Sequence, residues 1–396
     1  MSDTREVVVV GGVRSAIGTY GGSLKDVSLG DLSASVVKEA VSRAGLAGED
    51  VGHTVFGNVI HTEPRDMYLA RVASVNAGIP VETPALTLNR LCGSGLQAIL
   101  TAASYIQLGE TDCSVGGGGD AMSRAPYWIP SGRWGQRMGD GAMLDAMVGA
   151  LTDPFDKCHM GMTAENVAEK WGISREEQDR LAAESHRRAI AAIDNGYFKE
   201  QILPVEMKSR KGTIIFDTDE GPRRDVDPEK MAGMKPVFKR EGGTVTAGNA
   251  SSLNDGAAAV VMMEAGAAEA RGLKPMARLV YGTVAAVDPR YMGIGPVPAV
   301  KRLLEKTGVS RDDIDVWEIN EAFAAQALAV VKDLELDEAK VNPNGSGISL
   351  GHPIGATGAN LTVKALYELE RTGERYAVVT MCIGGGQGIA ALFERT

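Results

Sequence analysis

Two cysteines and a histidine occupy places in this chain where chemistry is expected of them. Cys92 lies in Asn89-Arg-Leu-Cys-Gly-Ser-Gly-Leu-Gln-Ala98, between a strand-forming run and a helix-forming one. The glycines that follow it allow a tight turn, which would set the thiol at a helix N-terminus. There the positive end of the helix dipole lowers a thiol's pKa. A free thiol is only a few per cent ionised at neutral pH, so a nucleophilic cysteine also needs a base. A buried, inert cysteine is the alternative reading; the order strand–Cys–Gly–x–Gly–helix favours the nucleophile. His352 is held in Gly351-His-Pro-Ile-Gly-Ala-Thr-Gly358, a glycine-rich loop before a helix, and is the candidate base. Cys382, in Met381-Cys-Ile-Gly-Gly-Gly-Gln-Gly388, follows an apolar run. It offers a second thiol to move a proton, beside backbone amides that can stabilise an oxyanion. Asn320, in Asn320-Glu-Ala-Phe-Ala324, is either the cap of the helix it opens or a polar member of the site.

The elements that must position these residues come from alternating strand and helix patterns. Strands are expected at Glu6–Val10, His53–Asn58, Ala85–Asn89 and Cys113–Val115, with helices from Ser28 to Gly45 and from Ser94 to Leu108. The last third repeats the order: strands at Ala277–Val284, Val316–Asn320 and Tyr376–Met381, helices at Pro298–Thr307 and Gly358–Leu369. This is an α/β pattern, from which a mostly parallel sheet is expected. Val55-Phe-Gly-Asn58 answers Trp317-Glu-Ile-Asn320, and Cys92 and His352 follow the two asparagines at nearly equal spacing. Glycine clusters at Gly116–Gly119 and Gly384–Gly386 are expected after the last strand of each half. Two similar halves point to duplication, with a site where equivalent strand ends meet. Residues 122–252 break the pattern; a capping box, Ser174 to Glu177, opens their one clear helix. Lys208, Arg210, Lys211, Arg223 and Arg224 make the later part of that stretch locally basic, either as a solvated face or as an anion-binding surface.

Composition excludes several classes. The 396 residues are 44% hydrophobic and 23% charged, a globular balance suited to two or three domains. No apolar run approaches the ~18–20 residues that cross a bilayer, and the N-terminus lacks a secretory or transit composition. A cytoplasmic protein with no membrane partner is expected. A net charge of −10 argues against general nucleic-acid binding. Four cysteines with no CxxC pair and five scattered histidines predict no metal site. Gly116-Gly-Gly-Gly-Asp-Ala121 superficially matches a dinucleotide fingerprint, but Met122-Ser-Arg-Ala-Pro126 does not open the helix that motif requires.

With the segments Asn89–Ala98, Asn320–Ala324, Gly351–Gly358 and Cys382–Gly388 in this order, the chain resembles the thiolase family over essentially its whole length. Among thiolases it looks most like bacterial acetyl-CoA acetyltransferases and broad-specificity β-ketothiolases. The resemblance implies a five-layered α-β-α-β-α core of two similar halves: 1–121 with 253–273, and 274–396. Residues 122–252 would form an inserted, CoA-binding loop domain, and the assembly would be a homotetramer. The implied reaction joins acetyl-CoA to acetyl-CoA or another short-chain acyl-CoA, releasing CoA, or runs in reverse. The CoA thioesters are substrates, and no separate cofactor is implied. By motif, Cys92 is the acylated nucleophile, His352 activates it, and Cys382 exchanges the α-proton. Asn320, through a water, and His352 stabilise the enolate, and the amides of Cys92 and Gly384 form the other oxyanion hole. Arg223, Ser251, His159, Met160 and Met292 fall at positions that meet the CoA, pantetheine or acyl group; the two methionines suggest a C4 to about C6 pocket.

Two departures stand out. Gly118-Gly-Asp-Ala-Met-Ser123 has Asp120 and Ala121 where the family usually has Glu and Ser, a change expected to touch loop or subunit packing rather than catalysis. Ser252 stands where glycine is frequent, in a turn that would face CoA. A β-ketoacyl synthase or hydroxymethylglutaryl-CoA synthase would share the fold and the nucleophilic cysteine, but those enzymes generally have histidine or asparagine where this chain has Cys382. A non-catalytic acyl-CoA-binding protein would be free to lose a catalytic residue, and none is missing.

Overall fold

The computed structural model describes residues 5–209 and 212–396. Nine principal strands carry the architecture: β1 (Val7–Ser15), β2 (His53–Gly57), β3 (Ala85–Leu88), β4 (Cys113–Ala121), β5 (Asn254–Glu264), β6 (Ala277–Ala286), β7 (Val316–Ile319), β8 (Tyr376–Ile383) and β9 (Gln387–Arg395). The principal helices are α1 (Leu29–Arg43), α2 (Leu69–Asn76), α3 (Ser94–Gln107), α4 (Met160–Trp171), α5 (Arg175–Asp194), α6 (Pro296–Thr307), α7 (Ala324–Asp333) and α8 (Thr357–Thr372). Helix ends follow local signals. The N–H of Glu177 donates to Ser174 Oγ and that of Ser174 to Glu177 Oε2, the reciprocal capping box read from the sequence. Gly308 and Gly373 adopt positive φ just past α6 and α8.

Strand order is β7-β8-β9-β6-β1-β5-β4-β2-β3. Only two residue pairs, Val8↔Arg278 and Val9↔Ala277, join β1 to β6. The path therefore consists of two sheets meeting at one edge. Side chains alternate across each strand, so a strand covered on both sides is apolar throughout. In β5, Ala257, Ala259, Val261 and Met263 face α1 and α2, while Ala258, Val260 and Met262 face α3 and α8. In β8, Ala377, Val379 and Met381 face α3 and α8, and Val378 faces α6 and α7. The layers are thus α1/α2, the first sheet, α3/α8, the second sheet and α6/α7: the five-layered α-β-α-β-α arrangement expected.

Three expectations need correction. The sheets are mixed rather than mostly parallel: β2 runs parallel to β3 and β4, and β7 to β8, but the pairs β4–β5, β5–β1, β1–β6, β6–β9 and β9–β8 are antiparallel. β5 and β9 close each half by returning alongside the preceding strand. Gly116–Gly119 lie inside β4 rather than after it. A Cβ on Gly116 would sit 2.7 Å from Ile99 Cα, and one on Gly118 only 2.0 Å from Gly355 O. The run lets α3 and the His352 loop lie directly on the strand. Residues 122–252 hold two substantial helices, α4 and α5, where one was expected.

The correspondence of the halves extends to register. Gly57 lies beside Gly118 and Ile319 beside Thr380. With Asn58 matched to Asn320, Asp120 falls at the place of Cys382. The turn at Gly384–Gly386 that links β8 to β9 answers the point where the chain leaves β4 at Ala121 and re-enters at β5. Among the described residues no helix is long and apolar enough to cross a membrane.

Candidate active site

The two central helices bring the loops together. A Cβ on Gly95 would meet Ala359 N at 2.7 Å, and one on Gly358 would meet Leu96 N at 2.2 Å. The first turns of α3 and α8 therefore touch backbone to backbone, and the residues preceding them, Cys92 and His352, come from adjoining loops. Ile354 packs in the same apolar cluster as Cys92.

The turn before Cys92 is strained in the way a nucleophile elbow requires. Leu91 takes φ 44°, a left-handed conformation costing a non-glycine residue ~1–3 kcal/mol. It is fixed by Leu91 N–H to Asn89 Oδ1 (2.8 Å) and by Ser94, whose hydroxyl accepts from Arg90 N and donates to Leu91 O. A Cβ on Gly93 would strike Ile383 Cδ1 at 2.6 Å, so the glycine loop after β8 rests on this turn. The backbone amides of Gly384 and of Cys92 itself favour the thiolate. They do not make the thiol acidic. Burial pushes the thiol up to about 11, and the Asp120 carboxylate adds to the push. This corrects the low pKa expected of a helix N-terminus: Cys92 keeps some solvent exposure, but desolvation outweighs the dipole.

His352 is buried and oriented. Thr357 Oγ1 donates to Pro353 O at 3.0 Å and lies 2.6 Å from His352 Nδ1. With that proton given to the carbonyl, Oγ1 is placed to accept from Nδ1–H, and we assign this tautomer, which leaves the Nε2 lone pair unprotonated. Burial lowers the imidazole to about 4, so the ring is neutral near pH 7. Asn254 Oδ1 accepts from the His352 backbone N–H at 2.8 Å and fixes the loop.

Asn320 Nδ2 lies 3.4 Å from both ring nitrogens, which puts the amide over the ring face. Its Oδ1 is buried without a protein partner among the described residues. The helix-cap reading of Asn320 fails, since α7 begins at Ala324 with Phe323 as N-cap. Cys382 is buried among Met160, Met292, Ala322 and Phe323, and burial followed by the nearby Cys92 pushes its thiol well above the ordinary value. Met160 Cε is 3.0 Å from where a Gly384 Cβ would be. His159 caps α4 by accepting from Gly161 N–H at 3.0 Å and stacks on Phe238, 4.6 Å between centroids.

A groove of about 480 Å³ is lined by His186, Arg223, Lys230, Gly248, Ala250 and Ser252 among others. Arg223 is exposed and makes no ion pair among the described residues, whereas Arg224 is held by Asp194. Ser251 is half-buried, its N–H bonded to Ala322 O, while its neighbours Ala250 and Ser252 face the groove. Ser252 Oγ donates to Asn254 Oδ1, the acceptor that also holds His352. Of the other basic residues noted, Arg210, Lys211 and the side chain of Lys208 lie outside the described residues.

Sequence reasoning missed two residues. Thr357 had a signal in its place within the His352 motif. Asp120 was read as remote from chemistry, yet its carboxylate lies under the His352 loop and accepts from Gly355 N at 2.5 Å.

Comparison with known proteins agrees with this geometry. The thiolase N-terminal domain model matches residues 7–266 and the thiolase C-terminal domain model residues 273–395. The chain is 67% identical to the beta-ketothiolase BktB of Cupriavidus necator, over 99% of this chain and all of that one. The crystal structure of the Bacillus anthracis acetyl-CoA acetyltransferase superposes with a TM-score of 0.97 at 47% identity, covering 99% of each chain. The human mitochondrial 3-ketoacyl-CoA thiolase in complex with CoA gives 0.96 at 44% identity, covering 99% of this chain and 98% of that one. The chain belongs to the thiolase family.

Proposed function

We propose that the chain is a β-ketothiolase that condenses acetyl-CoA with acetyl-CoA or another short acyl-CoA and runs the reverse thiolysis at the same site. The observation that carries this reading is the meeting of a nucleophile elbow, a neutral histidine with Nε2 free, and a second thiol in an apolar pocket. His352 Nε2 takes the Cys92 proton as the sulfur attacks the thioester carbonyl. The amides of Cys92 and Gly384 hold the tetrahedral oxyanion, and CoA leaves as a thiolate that takes the Cys382 proton. The Cys382 thiolate then removes the α-proton of the second acyl-CoA. The enolate oxygen is held by the protonated His352 and by a water on Asn320, a role its unpaired buried Oδ1 supports. The enolate carbon attacks the Cys92 thioester, and the departing Cys92 sulfur recovers its proton from His352. Both thiols end protonated, in keeping with their raised pKa values. An enolate from so weak a carbon acid depends on donors fixed in advance.

The groove with Arg223, His159 and the Ser251 turn is the CoA side of the site, and residues 122–252 are the CoA-binding insertion. The CoA-bound human relative supports this. Met160 and Met292 around Cys382 support a C4 to about C6 acyl group, with the breadth that flexible methionine allows. Assembly as a homotetramer is supported by the apolar surface on the insertion, where Trp134 and Met138 are 86% and 93% exposed. The reading includes a cytoplasmic location and no separate cofactor. Acetoacetyl-CoA incubated with CoA should lose its enolate absorbance; an unchanged signal overturns the proposal. A C4–C10 ketoacyl-CoA series tests chain length, and preference for C10 would overturn that part.

A further inference from the structure

We propose that Asp120 is a positioning residue for this reaction: its carboxyl group clamps the His352 loop to the Asn58–Ile60 segment and, when ionised, acts on the Cys92 thiol. The proposal rests on the thiolase reading and adds a residue to it. Asp120 is fully buried at the end of β4. Its Oδ1 accepts from Asn58 Nδ2 (2.9 Å), Ile60 N (3.0 Å) and Val59 N (3.3 Å), and its Oδ2 from Gly355 N (2.5 Å) and Val59 N (3.3 Å). Every partner is a donor. A neutral amide in this place would turn an N–H₂ toward one of those N–H groups, so only a carboxylate satisfies both sides at once.

Register explains why the clamp reaches the catalytic loop. Asp120 occupies in the first half the place of Cys382 in the second. The strand end carrying Cys382 leads into Gly384, which lies against the Cys92 turn (a Cβ there would be 3.3 Å from Leu91 Cδ1) and whose amide favours the Cys92 thiolate. The strand end carrying Asp120 crosses the other way, to Gly355, three residues past His352. Each half thus supports the other half's loop. The fit leaves no slack: a Cβ on Gly355 would lie 2.5 Å from Asp120 Oδ2 and 3.2 Å from Asn58 Cα.

The charge has a separate consequence. Burial is the main reason Cys92 rests as a thiol; the Asp120 carboxyl, itself pushed up to about 7 by burial, adds to the effect where it is ionised, as it is across the alkaline range in which the thiol titrates. The titratable groups around the two are Cys382 against Cys92, Asp66 beside Asp120, and His352 on the loop held by the clamp.

Two variants separate position from charge. Asp120→Asn removes both, while Gly355→Ala forces the clamp apart and leaves the charge. Thiolysis of acetoacetyl-CoA and the pH profile of Cys92 alkylation by iodoacetamide are measured for each, with thermal melting as the check on folding. In both variants kcat should fall by about 10²-fold, the scale of a misplacement near 1 Å, with KM for CoA within a few-fold. The alkylation profile should move to lower pH in Asp120→Asn and stay put in Gly355→Ala. A folded Asp120→Asn protein with an unmoved profile, or with kcat within about threefold of the parent, overturns the proposal. If that variant does not fold, Gly355→Ala decides, and parental kcat there overturns it. An inactive parent protein would instead sink the thiolase reading itself.

Discussion

Replacing Thr357 by valine isolates what keeps His352 a base. In the native site the hydroxyl donates to Pro353 O at 3.0 Å and accepts Nδ1–H at 2.6 Å. Valine keeps the shape of the side chain but leaves the imidazole N–H buried with nothing to receive it. An unsatisfied buried donor costs ~1–3 kcal/mol. The ring relieves that cost by moving its proton to Nε2 or by turning, and either change withdraws the Nε2 lone pair from the Cys92 proton. Carried fully into the barrier, at about 1.4 kcal/mol per decade of rate, the loss amounts to roughly 5–150-fold slower acylation. Thr357→Ser keeps the hydroxyl and should acylate within a few-fold of the parent. The assay is single-turnover transfer of radiolabelled acetyl from acetyl-CoA to Cys92. KM for CoA should barely change, because Thr357 lies away from the groove with Arg223. Parental acylation by Thr357→Val would refute the tautomer assignment. So would a Thr357→Ser protein as slow as the valine variant, since the defect would then come from packing.

Other outcomes follow from the same geometry. Cys92→Ser should take up no acetyl label, whereas Cys382→Ser should still label Cys92 yet lose condensation by ~10²–10⁴-fold; normal condensation by the latter would show the roles are misassigned. Burial holds His352 near 4, and only the neutral ring accepts a proton. The acylation rate should therefore stay level on its acid side down to about pH 5 and fall as pH drops through about 4; a midpoint near 6.5, an unburied histidine's value, would contradict this. Gly118→Ala puts a methyl 2.0 Å from Gly355 O and should destabilise the fold by ~1–3 kcal/mol; an unchanged urea midpoint would show that the loop yields freely.

Residues with short-range signals were legible in the sequence. The capping box at Ser174–Glu177, the glycine stop after α6 and the elbow glycines around Cys92 each encode a local conformation, and each appears in the structure. The pairing of Cys92 with His352 was legible through the matched spacing of the halves, and Cys382 was added to them by the resemblance to thiolases. What depended on distant contacts was not. The glycines of β4 looked like a loop because nothing nearby shows that α3 and Gly355 press on that strand. β5 and β9 went unread because apolar runs covered on both faces carry no periodicity. The pKa of Cys92 was misjudged for a related reason: a helix terminus is visible in sequence, but the protein mass around a thiol is not. Asp120 looked peripheral because its partners at 58–60 and 355 are brought to it only by the duplicated topology.

The pairing of β1 with β5 also governs how the chain can be made. Val7 pairs with Glu264, a partner about 250 positions later. At ~5–20 residues per second the ribosome needs roughly 13–50 s to supply it. Until then the apolar Val7–Val10 run and the faces of β4 and α3 have no closed sheet to enter. Such long-range closure slows folding and leaves an aggregation-prone nascent chain. The second half, contained within residues 277–395, meets no such delay and can close as soon as it emerges. Synthesis at low temperature or with added chaperone should therefore raise soluble yield by protecting the first half, and mutations that weaken β1 should lower yield more than they lower the stability of the finished protein.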